Sequence, residues 1–496
     1  MHTRRQLFTY LCLSIVSLGL ATAAVAADPV LKAGAATSNI TPPLGTIIVG
    51  GFAPYPADHI HDELHARCLV LDDGKTKLAL VVCDLLGIHR SVSLEARRLI
   101  EKETGIPPQN VLISATHTHS AGTALGRNRY CNDQELDEYQ KFVARRITDG
   151  VRRAINQLKP AEIAFTQVDV PDQVFNRRWI MREGSVPPNP FGKVEKVQTN
   201  PAVRSPNLVE AAGPTDPTVS IIAVREPGGR MIATYCAYSL HYVGGTGPKD
   251  ISSDYYGMFC ESMKRRLSDE DEDPPFVAMM ANGTSGDINN IDRLNPRTSR
   301  GPYVKMREVA EEVAGKVEKA IRAIDSWQSN VTLDARAREL ELAWRPISPE
   351  LLDWAKTAEA QAPRRPVGDI PVGAKFATEP AWVQRVSYAG RVQLLAEAEG
   401  PARFPVQAFR IGDIVIGTSP CETFAEIGLE FKQRSPVKKA FMVSLAHGYM
   451  GYLPTPRHFE LGGYETWPGT NYMEPQTSVK LLDAVLEMAN ELVKQN

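Results

Sequence analysis

The residues best suited to chemistry gather where apolar strands run into turns. Leu112-Ile113-Ser114-Ala115-Thr116-His117-Thr118-His119 carries an apolar run straight into a His-x-His pair. On an extended chain, residues i and i+2 face the same way, so both imidazoles can reach one site. Paired imidazoles are a common metal arrangement, although two polar histidines at a loop start would read the same. Tyr238-Ser239-Leu240-His241 ends a second apolar run in a histidine, followed by Gly244-Gly245. Asn282-Gly283-Thr284-Ser285-Gly286-Asp287-Ile288-Asn289-Asn290 opens a third into a glycine- and asparagine-rich turn with one carboxylate. Such a turn either presents backbone N–H groups to a ligand or is a tight bend held by Asp287. Glu422 sits where a fourth run gives way to a helix. It can ligate a metal, act as a base or favour a helix N-terminus. Last comes a block of glycines and tyrosines with Tyr449, Tyr452 and Gly463-Tyr464-Glu465.

The elements that must position these groups alternate between strand and helix. His65–Asp72 and Thr76–Leu85 form a hairpin around Asp73-Gly74. Ser91–Glu103 and Glu135–Leu158 read as helices, with the strand Asn110–Ala115 between them. Thr218–Arg225 and Met231–Leu240 flank Pro227-Gly228-Gly229 as a second hairpin, and Phe276–Ala281 is a buried strand. Val304–Ile324 is a helix, Val331–Trp344 a half-exposed strand and Val406–Gly417 a third hairpin. Glu422–Gln433 is a helix, Ala440–Ala446 a strand and Thr477–Lys494 the closing helix. Val186–Pro217 and Gln361–Ala374 read as long loops. The expected fold is mixed α/β (α+β): one large catalytic domain of mixed sheets with surrounding helices.

The 496-residue chain carries 56 Lys+Arg and 58 Asp+Glu, a net charge of -2, which argues against a nucleic-acid partner. With 43% apolar and 23% charged residues it has ordinary globular usage. Residues 1–27 hold Arg4-Arg5, the apolar run Leu7–Leu20 and the small residues Ala21–Ala27. That is a signal peptide, with Thr3-Arg4-Arg5-Gln6-Leu7-Phe8 fitting a twin-arginine form, so the mature chain 28–496 is expected to be exported, periplasmic or secreted. No later stretch is apolar enough for a transmembrane segment. Cys12 lies in the leader. The remaining cysteines show no CxxC spacing, and Cys68 and Cys83 read as buried small hydrophobes. Oligomeric state is not legible.

Taken in order, these motifs resemble the neutral (non-lysosomal, neutral/alkaline) ceramidase family. The set is His-Thr-His-Ser at 117–120, the strand end at His241, Asn-x-x-x-Gly-Asp at 282–287, Pro-x-Glu-x-Phe at 420–424 and Gly-Tyr-x-x-Tyr-x-x-Thr. Gly34–Thr41 with Pro42, His65-Ala66-Arg67, Asn176-Arg177 and Ser253-Asp254 add to it. The similarity runs from about Leu31 to Glu491, the length of the family's N-terminal catalytic domain, and the C-terminal immunoglobulin-like domain of the family is expected to be missing. The resemblance implies an amidase that cleaves the N-acyl bond of ceramide or a related N-acyl lipid with a zinc-activated water. It implies zinc (Zn2+) held by His117, His241, Glu422 and Tyr452. His119 would face substrate, with Arg177 and Tyr464 lining the pocket. Asn289 stands where the family has a serine, which leaves room for a non-ceramide ester, amide or carbohydrate-derived substrate on the same scaffold. A non-catalytic metal-binding protein is the remaining alternative, and a His/Glu/Tyr ligand set argues against it.

Overall fold

The computed structural model describes residues 30–51, 55–269, 271–296, 300–362 and 381–494. The leader expected at 1–27 and most of the expected loop Gln361–Ala374 lie outside the described residues.

Three sheets carry the molecule. The first runs, in spatial order, Val111–Ala115, Lys77–Cys83, His65–Asp72, Lys32–Asn39 and Lys159–Pro160. The second runs Glu162–Asp169, Thr218–Arg225, Met231–Tyr238 and Val277–Asn282, and the third Leu333–Leu342, Ala402–Ile411, Ile414–Thr418 and Lys439–Val443. The three expected hairpins are antiparallel pairs, registered Asp72↔Lys77, Val224↔Ala233 and Ile411↔Ile414.

Strand periodicity explains how the sheets stack. Leu69, Leu71, Leu78 and Leu80 point to one face of the first sheet, and Cys68, Val70, Ala79 and Val81 to the other. The first set meets Ile222, Tyr235 and Met279 of the second sheet and Phe409, Ile416 and Phe441 of the third in one shared apolar core. The outer faces are apolar too, so each must be covered. Helices Arg90–Thr104 and Glu138–Asn156 cover the first sheet, Asp254–Leu267 and Val304–Arg322 the second, and Ala425–Arg434 with Thr477–Lys494 the third. Helix Glu138–Asn156 starts later than its periodicity suggested, because Asp137 and Gln140 close a capping box there.

Each sheet contains one parallel pair: Lys77–Cys83 with Val111–Ala115, Met231–Tyr238 with Val277–Asn282, and Ile414–Thr418 with Lys439–Val443. Open α/β sheets bind ligands beyond the carboxyl ends of such strands. Here those ends are sewn to one another. Ser114 bridges Ala446, the Ser444 amide donates to Asn282 O at 2.9 Å, and Asn282 Nδ2 donates to Thr116 O at 2.9 Å.

Two expectations are corrected, and one helix pair was not foreseen. Glu422 and Thr423 are not helical: they pair in parallel with Tyr452–Leu453, and the helix begins at Ala425. The expected loop Val186–Pro217 contributes Val197–Thr199 and Leu208–Ala211, which flank Arg178–Met181 in a small sheet. Helices Pro349–Ala360 and Ala381–Ala396 pair outside the sheets, where no strand-end motif pointed to them. Cys68, Cys83, Cys131, Cys236, Cys260 and Cys421 are all free, and Cys68 and Cys83 are buried as expected. Among the described residues no helix is long and apolar enough to cross a membrane.

Candidate metal centre

The strand Val111–Ala115 delivers His117, but not in the extended conformation its spacing suggested. His117 is left-handed, with φ 79°. A bulky residue there costs about 1–3 kcal/mol and persists only where surrounding contacts impose it. The His117 amide donates to Leu85 O at 2.9 Å and its Nδ1 to Leu86 O at 2.7 Å. Nδ1 is thereby committed to the backbone, and Nε2 faces Glu422. His241 follows the strand Met231–Tyr238, and its Nδ1 donates to Ser285 O at 3.1 Å, which again leaves Nε2. His119 hydrogen-bonds the backbone of Gly50, and its ring stacks on Tyr242 with centroids 3.6 Å apart.

The ligand nitrogens of His117, His119 and His241 all lie within 4.8 Å of one another. His119 Nε2 stands 3.1 Å from His117 Nε2. Glu422 Oε2 completes the group, 3.1 Å from His117 Nε2 and 3.6 Å from His241 Nε2. His117, His241 and Glu422 are each at most 3% exposed. Burial drives His119 and His241 well below the usual histidine range, helped by His117 and the Arg177 cation, so both rings are neutral. Burial would raise the Glu422 carboxyl, yet His117 and the Tyr452 and Tyr449 phenols outweigh it and hold the group low. The Tyr449 hydroxyl donates to Glu422 Oε1 at 2.7 Å, whereas the buried Oε2 has no hydrogen bond among the described residues. Imidazole nitrogens beside a buried carboxylate oxygen can hold a metal cation. For bonds of 2.0–2.1 Å, ligand atoms around a tetrahedral metal stand roughly 3.3 Å apart. The separations of 3.1 and 3.6 Å straddle that value.

The other expected residues divide. Tyr452 is brought to the centre by the register Glu422↔Tyr452, and Tyr464 packs edge-on against it at 5.6 Å. Arg177 lies over the Tyr452 ring at 5.1 Å and reaches His241 Nε2 with Nη1 at 3.4 Å. Its Nε donates to Glu465 Oε1 at 2.8 Å, and its Nη2 is buried with no acceptor. Asn289 makes no hydrogen bond to the histidines: its Nδ2 donates to Asn200 Oδ1 at 2.8 Å and its Oδ1 accepts from Ile291 N at 3.0 Å. Asp287 holds structure, accepting from Ala425 N at 2.9 Å and Asn176 Nδ2 at 2.8 Å. His59, His61 and His65 pair with Asp250, Asp62 and Glu63, as strand-end polarity suggested.

A sequence model described as neutral/alkaline non-lysosomal ceramidase, N-terminal, matches residues 31–293. The chain belongs to that family. It is 22% identical to the neutral ceramidase of Pseudomonas aeruginosa over 541 residues, spanning 98% of this chain and 75% of that protein. The crystal structure of that organism's neutral ceramidase superposes with a TM-score of 0.68 at 19% identity, over 95% of this chain and 75% of the other. A ceramidase complexed with C2 gives 0.67 at 18% identity, over 94% and 76%. The fold is therefore shared.

Tyr242 escaped the functional assignments of the sequence reading, and Tyr449 and Glu465 stand in it only as members of the glycine–tyrosine block. Tyr242 stacks on His119, Tyr449 holds Glu422, and Glu465 anchors Arg177. Each neighbours a residue that drew attention, but nothing in its own spacing marks it. Gly286 is the backbone counterpart: a Cβ added there would meet Glu422 O at 2.3 Å. Gly286→Ala is thus expected to displace Glu422 and weaken metal affinity by about 10- to 100-fold, the range for lost ligand support. Competition with a chelating indicator measures it, and an unchanged affinity would show that Glu422 does not depend on this contact.

Proposed function

We propose that this protein is an exported zinc-dependent hydrolase, one domain over residues 28–496, that cleaves the N-acyl amide bond of ceramide or a related N-acyl lipid. The observation that carries the reading is Glu422 Oε2, buried beside three imidazole nitrogens and with no hydrogen bond among the described residues. Family membership supplies the reaction class, since the relatives bear the name neutral ceramidase. His117, His241 and Glu422 would hold the ion, with Tyr452 as the fourth ligand. Zinc in such a site lowers the pKa of water to about 7 and polarises a carbonyl.

The protein's own groups do the rest. His119, whose Nε2 stands 3.1 Å from His117 Nε2, would take the proton of the attacking water and pass it to the leaving nitrogen. The water oxygen joins the carbonyl carbon, the C–N bond breaks, and a fatty carboxylate and an amine leave. Tyr464, packed edge-on against Tyr452, would donate to the developing oxyanion. A donor of this kind contributes about 3–4 kcal/mol. Tyr242 keeps the His119 ring in plane by stacking.

The His119→Ala enzyme is expected to retain its metal and lose about 10²- to 10⁴-fold in kcat on a short-chain ceramide. Metal analysis and fatty-acid release on one preparation measure both. Undiminished turnover would remove His119 from the mechanism, and loss of metal would move it into the ligand set. Asn289, tied to Asn200, favours a second reading in which the same centre acts on a substrate other than ceramide.

A further inference from the structure

Arg293 is a buried cation with no counter-charge among the described residues. It is 7% exposed. Its Nη1 donates to Pro201 O at 2.8 Å and its Nη2 to Asn200 Oδ1 at 2.5 Å, both neutral acceptors. Its Nε is buried with no partner. Among the described residues the charged group that acts on it is another cation, Arg177. Burial first, and Arg177 second, push the guanidinium down to about 10. The neighbouring Asp292 turns away, with Oδ1 accepting from Leu294 N and Asn295 N. Arg204, whose amide donates to Arg293 O, adds a further positive residue. Buried charges are ordinarily paired, because an unpaired one costs several kcal/mol.

The surroundings connect this cation to the metal centre. Asn200 has φ 52°, its amide donates to Arg177 O at 2.8 Å, and its Oδ1 accepts from both Arg293 and Asn289. Arg177, the second cation, touches His241 and has its own unpaired Nη2. Asn200 thus ties Arg293 to the Arg177 backbone, the two cations act on one another, and each has a buried N–H without a partner among the described residues. Guanidinium groups are the side chains best shaped for carboxylate and phosphate oxygens.

We propose that Arg293, together with Arg177, binds an anionic oxygen group (carboxylate, sulfonate or phosphate) on the amine side of the substrate, making Arg293 a specificity residue for acidic N-acyl compounds. This rests on the amide-hydrolase reading above and narrows its substrate class. Ceramide, with a neutral hydroxylated head, would leave the charge of Arg293 unanswered.

The test uses zinc-loaded enzyme and two amides that differ at one group: N-lauroylglycine, with a carboxylate, and N-lauroylethanolamine, with a hydroxyl in its place. Wild type is expected to show the lower KM for N-lauroylglycine. Arg293→Gln should raise that KM about tenfold or more, leave N-lauroylethanolamine unchanged, and be partly rescued by Arg293→Lys. Equal KM values in wild type, or a parallel loss on both substrates in the variant, would overturn the proposal. Turnover of neither amide would overturn the hydrolase reading alone. Calorimetric titration, which needs no turnover, then decides the anion site. N-lauroylglycine binding by wild type and not by Arg293→Gln supports it. Binding of sulfate without N-lauroylglycine would assign Arg293 to a free inorganic anion and overturn it. Arg293→Gln should also raise the Tm in anion-free buffer, because it removes an unpaired buried charge, whereas a purely structural arginine would lower it.

Discussion

The His117→Ala protein is expected to purify without zinc and to hydrolyse no substrate above background. His117 is the hub of the site: its Nε2 is 3.1 Å from both His119 Nε2 and Glu422 Oε2, and its Nδ1 is committed to Leu86 O. Loss of a support behind a ligand costs about 10- to 100-fold in affinity, so loss of a ligand itself should exceed that. Without the ion, the pKa of the attacking water returns from about 7 to 15.7. Alanine would also have to adopt the left-handed conformation at φ 79°. His117→Asn is the matched control, because asparagine tolerates that region and cannot replace the imidazole. Atomic absorption on wild type and both variants measures the metal, and thermal unfolding confirms that they fold. One zinc per chain in either variant would remove His117 from the ligand set.

The second large effect concerns stability. Glu465 is fully buried and binds two arginines, Arg177 at 2.8 Å and Arg178 at 2.5 Å, with Thr199 Oγ1 donating at 2.7 Å. Arg178 is itself completely buried. Glu465→Ala leaves two desolvated cations without their carboxylate, and breaking a buried pair in this way costs about 3–5 kcal/mol. Glu465→Gln keeps the shape and hydrogen-bonding capacity and should recover part of the loss. Both should lower kcat, because Arg177 is aimed at the centre through its Nε bond to this carboxylate. Denaturant midpoints with kcat on one substrate test the pair. An alanine variant as stable as wild type would show that water, rather than Glu465, compensates the arginines.

Much of this was legible in the residues because it depends on short-range periodicity. Continuous apolar runs in His65–Asp72 and Thr218–Arg225, and turn residues such as Asp73-Gly74, mark strands wherever both faces are buried. His117 and His241 stood out because each follows an apolar strand. What spacing could not show is how they meet. His117 and His119 converge through a left-handed residue rather than through extended alternation. Glu422 arrives through a two-residue pairing with Tyr452, where its sequence context read as a helix start. Such short bridges are tertiary facts and leave no pattern in the chain. The role of Glu465, and Arg293 altogether, were invisible for the same reason. A buried charge is recognised by its partner or by the lack of one, and either requires the folded neighbourhood. Asn289 drew attention through its place in the motif, and the structure ties it to Asn200, which also accepts from Arg293, rather than to the histidines.

The most direct measurement is fatty-acid release from a short-chain N-acyl amide panel, ceramide and N-lauroylglycine included, by one purified preparation in three states. These are the protein as isolated, the protein after exhaustive chelation, and the chelated protein with zinc restored. Release that disappears on chelation and returns with zinc is the expected result if His117, His241 and Glu422 hold the ion as proposed, the histidines being clustered and Glu422 Oε2 standing 3.1 Å from His117 Nε2. Turnover that survives complete removal of the metal, or its absence from every amide after zinc is restored, would contradict a zinc-dependent amidase.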